Sequence, residues 1–174
     1  SDHGWHLGEK ERWAKRSLWE DGVRVPMIIS APGFTNGQLT KRATGLIDIY
    51  PTVLDLAGLP PKTDLEGQSL RKLMKTPNAD WDRPTLCTFT PGNHSLRSTD
   101  FHYIRYADGS EELYDLRTDF HEWHNLAGNS KFAGVVADFQ KHLPKNKAAA
   151  IRSDWHGWEL EAWEDAEKNA AARK

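Results

Sequence analysis

The residues whose types and spacing could perform chemistry lie at the start of the chain. The sequence runs Ser1-Asp2-His3-Gly4-Trp5-His6-Leu7-Gly8-Glu9, and Lys15 follows shortly after. On an irregular strand end, Asp2 and His3 can both face one cation, because carboxylate oxygens suit calcium or magnesium and imidazole is tolerated there. A lysine can place a point charge against a tetrahedral oxyanion. The alternative, which composition alone favours, is a frayed terminus with Lys15 in a solvated loop.

The elements that would position these residues are predicted from hydrophobic periodicity. Residues 10–20 are charged with interspersed aromatics and predict a loop with a short helical turn. The β-branched, apolar run 23–31, closed by Pro-Gly, predicts a buried strand. Apolar residues then step by three and four, which predicts a helix over 49–56 with Asp48 as its N-cap.

A second group of strand signals follows a polar seam near 60–84. Aromatic and β-branched residues, with a strong turn signal at Asp-Gly, predict a three- or four-stranded antiparallel sheet within 85–116. Helical spacing over 131–143 predicts a helix packed on that sheet, and an Ala- and Glu-rich stretch predicts a helix over 159–173. The mixture of strands and helices predicts an α/β or α+β class. The predicted units are 1–75, 76–145 and a helical tail, 146–174.

Composition excludes several classes of protein. The chain has 174 residues, a formal net charge of −2 and a pI near 6.4, so no basic surface argues for nucleic acid or an anionic membrane. No apolar stretch approaches the roughly 20 residues that a membrane span needs. The single cysteine, Cys87, excludes an internal disulfide framework and a cysteine-rich zinc cage.

Several motifs, taken in order, resemble the C-terminal part of type I sulfatases, and most closely the iduronate-2-sulfatase-like branch. They are S-D-H-G-W-H-L-G-E-K-E-R-W-A-K, W-E-D-G-V-R-V-P-M-I-I-S-A-P-G, D-I-Y-P-T-V-L-D-L-A-G-L-P, N-H-S-L-R-S-T-D-F-H-Y-I-R-Y and E-E-L-Y-D-L-R-T-D-F-H-E-W-H-N-L-A. The resemblance covers about residues 1–143. It implies the alkaline-phosphatase-like α/β fold, with the last part of the large mixed-sheet domain followed by a small antiparallel sheet that packs with a helix.

The resemblance also implies roles for individual residues. Asp2 and His3 inherit the family's calcium-binding pair, and Lys15 inherits the lysine that binds the sulfate group and stabilises the transition state. Trp5 is placed where an aromatic residue lines the substrate pocket, although core packing is nearly as good an interpretation. His94 and Arg97 stand where the small sheet reaches the pocket in relatives. For His94, a sugar contact and a buried structural hydrogen bond remain equally open.

Type I sulfatases use a formylglycine made from Cys or Ser within C/S-x-P-x-R, and this sequence has no such motif. Cys87 lacks the required Pro and Arg, so we do not expect it to be the nucleophile. We therefore expect this chain alone to be catalytically inactive and to bind calcium weakly. The abrupt start at Ser1 suggests a longer parent protein. The resemblance implies that this parent hydrolyses sulfate esters on sulfated sugars or glycosaminoglycans, in an exported, periplasmic or lysosomal compartment.

Two other functions remain open from the sequence. The first is a fragment of a related phosphodiesterase or phosphonate hydrolase, whose nucleophile and metal ion would differ upstream. The W-A-K segment favours the sulfatase instead. The second is a non-catalytic binding or scaffold module. The unpaired edge of a truncated sheet argues against that module, because exposed strand edges invite aggregation.

Overall fold

The computed structural model describes residues 1–34, 37–81 and 83–145. Its helices are α1 (Glu20–Val23), α2 (Ile49–Leu56), α3 (Arg71–Lys75) and α4 (Ala133–Gln140), and its strands are β1 (Thr85–Thr88), β2 (His94–Arg97), β3 (Phe101–Arg105) and β4 (Glu111–Asp115). Short 3-10 turns lie at Glu9–Glu11, Leu46–Asp48 and Ser130–Phe132. The predicted tail 146–174, with its helix over 159–173, lies outside the described residues. None of the described helices combines the length and apolar character needed to cross a membrane.

The four strands form one antiparallel sheet in the order β1-β2-β3-β4. The β3–β4 hairpin closes at Asp108-Gly109, where the amide of Tyr106 donates to the carbonyl of Ser110 at 3.0 Å. Gly109 has a φ of 90°, a conformation that side chains disfavour, which explains the glycine. The predicted antiparallel sheet is therefore confirmed, with four strands.

The two faces of the sheet pack against different parts of the chain. On one face, a core of buried side chains joins the sheet to α4: Leu96, Tyr103, Leu113, Val136 and Phe139. The rings of Tyr103 and Phe139 stack there, with centroids 5.6 Å apart. The predicted helix packed on the sheet is thus confirmed. On the other face, Ile104 and Tyr114 pack with Leu18, so the sheet is fastened to the N-terminal segment that carries the candidate chemistry.

The helix over 49–56 is confirmed, but the role predicted for Asp48 is wrong. Asp48 is fully buried and its side chain makes no cap hydrogen bond to α2. Its carboxylate instead accepts hydrogen bonds from the amides of Gly45 and Gln68, both at 2.9 Å, and pairs with Arg83. The 3-10 turn before α2 already gives Asp48 helical backbone angles, so Asp48 does not adopt the extended conformation of an N-cap residue. Its side chain instead joins two loops to the start of β1.

The buried strand predicted over 23–31 is also wrong. Most of the segment is extended, but within the described residues its only bridge joins Ala31 to Phe34. Alternate side chains are exposed, and Ile28 is 91% exposed. A run of β-branched residues favours extended backbone, whereas a strand also needs a hydrogen-bonding neighbour. No described strand supplies one here.

Candidate functional site

The N-terminal segment is held against the loop that carries Lys15 and against α1. The amide of Gly4 donates to the carbonyl of Gly22 at 3.0 Å, and the amide of His6 donates to the carbonyl of Ala14, also at 3.0 Å. A Cβ atom at Gly4 would lie 2.0 Å from the carbonyl oxygen of Asp21, so only glycine permits this approach. These backbone contacts bring residues 2–5 beside the loop that follows Ala14.

His3 lies at the centre of the resulting cluster. Its Nδ1 lies 2.8 Å from the carbonyl oxygen of Gly4, and since a carbonyl only accepts, Nδ1 carries the proton. Its Nε2 therefore presents a lone pair, to which the ammonium of Lys15 donates at 3.1 Å. The carboxylate of Asp2 lies 3.7 Å from the same Nε2. Asp2, His3 and Lys15 thus form one group of neighbouring side chains.

The carboxylate of Asp2 and the imidazole of His3 lie close enough together to contact one cation. Calcium–oxygen distances of about 2.3–2.6 Å put neighbouring ligands roughly 3.5 Å apart, close to the Asp2–His3 separation. The Gly4 carbonyl fixes the His3 tautomer whose Nε2 carries the lone pair, which is the usual arrangement around metal-bound histidines, and a metal at Nε2 would displace the ammonium of Lys15 from it. Two residues supply only two or three of the roughly 6–8 ligands that calcium takes. The cluster can therefore serve as one side of a metal site.

Trp5 borders this group. Its ring centroid lies 6.3 Å from that of His3, and 51% of the residue is exposed. Trp5 is therefore not buried in a core formed by the described residues. An exposed aromatic face can contact the apolar face of a sugar ring, so the geometry leaves the predicted substrate contact available.

His94 and Arg97 are not arranged as a pair. Side chains alternate along β2, so His94 lies on the α4 face with Leu96, whereas Arg97 lies on the face that meets the N-terminal segment. His94 is buried, and its Nδ1 lies 2.9 Å from the hydroxyl of Thr88. Of the two roles that the sequence left open for His94, a sugar contact and a buried structural hydrogen bond, this contact corresponds to the second.

Arg97 is engaged by the protein itself. Its guanidinium pairs with Glu20 at 3.2 Å and donates to the carbonyls of Ser98 and Thr99. Its side chain is 23% exposed. Arg97 therefore connects β2 to α1, and a substrate contact would use only the part of the guanidinium that these partners leave.

Sequence reasoning missed a buried cluster on the same face of the sheet. Glu20, His102 and Glu122 are each no more than 1% exposed. The Nδ1 of His102 lies 2.5 Å from the carboxylate of Glu122, whose other oxygen accepts from the amide of Glu20 at 2.8 Å. Two carboxylates and an imidazole could hold a metal, but the Arg97 guanidinium already supplies positive charge to Glu20. The cluster is therefore a network of hydrogen bonds with one ion pair, Arg97–Glu20, that joins α1, β2, β3 and the loop after β4.

A second group of potential ligands lies closer to the candidate site. Ligand atoms of His6, Glu9 and Asp21 all lie within 4.8 Å of one another. The fully buried His6 bonds through Nε2 to the hydroxyl of Ser17 at 2.6 Å, which braces the loop after Lys15. The carboxylate of Glu9 accepts from the amide of Leu7 at 2.7 Å, and this bond lowers the pKa of Glu9. These contacts hold the loop in place.

Cys87 lies on β1, partly buried against the Leu18 side of the sheet. Burial raises the pKa of its thiol, so the thiol stays protonated at neutral pH. A protonated thiol is a poor nucleophile.

Comparison with known proteins identifies the family of the chain. The family described as "N-sulphoglucosamine sulphohydrolase, C-terminal" matches residues 8–149. A sulfatase of Formosa agariphila is 36% identical over 148 residues, covering 85% of this chain and 29% of the relative. Arylsulfatase K of Danio rerio is 36% identical over 155 residues, covering 82% of this chain and 29% of the relative. The chain thus spans less than a third of the length of these relatives.

A solved structure shares the fold. It is described as a complex with its substrate D-glucosamine-2-N,6-O-disulfate, and it matches with a TM-score of 0.67 and 24% identity, over 97% of this chain and 34% of that one. The predicted α/β fold of the sulfatases is thereby confirmed, and the iduronate-2-sulfatase-like subtype stays a prediction. By its family match and its sulfatase relatives, the chain belongs to the family of sulfatase C-terminal domains.

Proposed function

We propose that the parent protein hydrolyses sulfate esters on sulfated sugars or glycosaminoglycans, and that this chain supplies one side of its active site. The observation that carries the proposal is the group formed by Asp2, His3 and Lys15, in which one imidazole nitrogen faces both a carboxylate and an ammonium. Family membership supports sulfate-ester chemistry. The sugar substrate of the solved relative supports the substrate class.

Each residue has a distinct task in this proposal. Asp2 and His3 would hold calcium together with upstream ligands, and the ion when bound would offset negative charge on the sulfate oxygens. Lys15 would donate a hydrogen bond to a sulfate oxygen, and the strength of that bond rises as charge develops in a water-poor site. Trp5 would contact the sugar ring, with His94 and Arg97 as further candidates for substrate contacts. The nucleophile would be a formylglycine from the rest of the parent chain.

We expect the purified 174-residue chain to show no sulfatase activity, because it has no C/S-x-P-x-R motif to supply the nucleophile. The measurement is release of the chromogenic alcohol from an arylsulfate by this chain, against buffer, with the parent protein as the positive control. Hydrolysis by the short chain well above buffer would contradict the proposal that the nucleophile lies elsewhere. An inactive parent under the same conditions would contradict the sulfatase function itself.

Replacing Asp2 by Asn in the parent protein should weaken calcium binding by about 10- to 100-fold, because a charged hard ligand is exchanged for a neutral one. Calorimetric titration of the calcium-free protein measures the affinity. The matched control is Asp64→Asn, since the exposed Asp64 carboxylate contacts only Lys62, at 4.0 Å, among the interactions found for it. Equal calcium affinity in the Asp2→Asn variant and the parent would remove Asp2 from the ligands.

A further inference from the structure

Lys10 occupies a cage of aromatic rings. Its ammonium lies 4.8 Å from the ring centroid of Tyr114, 5.3 Å from that of Trp19 and 5.7 Å from that of Trp123. All three distances fall within the roughly 6 Å over which a cation is attracted to the negative face of a ring. The rings come from the N-terminal segment, from β4 and from the loop that follows β4. One side chain therefore joins three parts of the chain.

Hydrogen bonds give the ammonium a fixed position within the cage. It donates to the backbone carbonyl of Glu122 and, at 3.4 Å, approaches the hydroxyl of Tyr114. That hydroxyl donates to the carboxylate of Glu112 at 2.7 Å. Burial and this carboxylate raise the pKa of Tyr114, so its hydroxyl keeps its proton. The attachment of Lys10 thus combines directional hydrogen bonds with electrostatic attraction to the aromatic rings.

The backbone on both sides of the contact adopts an uncommon conformation. Lys10, Glu11 and Glu122 have φ angles of 56°, 57° and 60°, in the left-handed region that residues other than glycine seldom adopt. Such angles persist only where surrounding contacts impose them. Here the contacts are the cage on one side and, on the other, the buried Glu122 carboxylate with its bonds to His102 and Glu20.

The turn that carries Lys10 connects two neighbouring stretches of chain, the arms of the candidate site, one before the turn and one after it. The amide of Gly8 donates to the carbonyl of Arg12 at 2.9 Å, and that of His6 to Ala14 at 3.0 Å, so the arms run side by side. Trp5 lies on the first arm and Lys15 on the second. A shift of the turn would move both residues relative to the sheet.

We propose that Lys10 is a positioning residue for the candidate site, and that its cage fastens the turn between Trp5 and Lys15 to the C-terminal sheet. This inference rests on the proposed function for its effect on turnover, while the fastening itself can be measured without any substrate. Lys10 touches no sulfate ester in this proposal. It acts through the placement of Lys15.

The test compares Lys10→Met, Lys10→Arg and Lys62→Met in the parent protein. Methionine keeps much of the apolar stem without the charge, and arginine keeps the cation. Lys62 is the matched control because its ammonium lies 5.9 Å from one ring, that of Tyr50. Trp123→Leu is a second variant that removes one ring, and Trp123 is 59% exposed, so the protein should fold without it.

Hydrogen exchange measures the fastening. The amides of Glu11 and Arg12, bonded at 3.1 Å to the carbonyls of Gly8 and Glu9, should exchange at least about 10-fold faster in Lys10→Met. Trp123→Leu should accelerate the same amides to a smaller extent. Lys10→Arg and Lys62→Met should leave them unchanged. Exchange in Lys10→Met that equals that of the parent would overturn the proposal.

Kinetics with an arylsulfate separates positioning from general stability. In Lys10→Met, kcat should fall about 10- to 100-fold, because small displacements of a catalytic group cost that much, while KM stays within about twofold. Lys10→Arg should restore kcat. Faster exchange with unchanged kcat would show that the turn does not position Lys15 and would overturn the inference. An inactive parent would refute the proposed function, and the exchange result would then decide the fastening alone.

Discussion

Replacing Lys15 by Ala in the parent protein is expected to lower kcat for sulfate-ester hydrolysis about 100- to 1,000-fold. Removing one donor that faces developing charge in a dry site typically costs this much. Lys15 donates to the Nε2 of His3, so its ammonium lies at the candidate metal site. Steady-state kinetics on an arylsulfate measures the change, which should appear mainly in kcat because the bond strengthens in the transition state.

Two controls make this result specific. Lys141→Ala removes an exposed lysine that pairs with Asp138 on the surface, and it should leave kcat unchanged. Lys15→Arg keeps the charge but changes its shape, and a compact ammonium and a planar fork place their donors differently, so only partial activity is expected. A Lys15→Ala enzyme with the kcat of the parent would remove Lys15 from the mechanism.

Much of the fold could be predicted because its signals are local. The helix over 49–56 and the four strands within 85–116 follow from periodicity and turn residues, and each is stabilised by near neighbours in the sequence. The segment 23–31 shows where this reasoning stops. Its composition favours extended backbone, but pairing depends on a partner that the composition does not specify. The N-cap role predicted for Asp48 is wrong for a related reason, since its carboxylate binds Gln68 and Arg83, which are distant in sequence.

The same distinction applies to the candidate site. Asp2, His3 and Lys15 are close in sequence, and the resemblance to sulfatases implies their roles. The contacts that attach their segment to the rest of the fold are not local, since Lys10 contacts Glu122 across 112 positions and Glu20 contacts Glu122 across 102. From the sequence alone, a charged residue in a polar loop is predicted to be exposed to solvent. Only the fold shows that Glu20 and Glu122 are buried against each other.

That buried contact carries the largest expected effect on stability. Replacing Glu122 by Ala should lower the free energy of unfolding by about 2–6 kcal/mol, because it leaves two buried donors unpaired at a cost of about 1–3 kcal/mol each. The change leaves the Nδ1 of His102 and the amide of Glu20 without their acceptor in an interior that excludes water. Urea-induced unfolding of the chain, followed by tryptophan fluorescence, measures the loss.

The comparison of three variants identifies the cause of that loss. Glu66→Ala removes an exposed carboxylate, and the expected change is within about 0.5 kcal/mol. Glu122→Gln keeps an acceptor for the Glu20 amide but removes the charge that faces His102, so its loss should lie between the other two. A loss below about 1 kcal/mol in Glu122→Ala would show that water reaches the cluster. The attachment of the N-terminal segment to the sheet would then depend on the contacts of Leu18 with Ile104 and Tyr114, on the Arg97–Glu20 pair and on the bonds of Lys10.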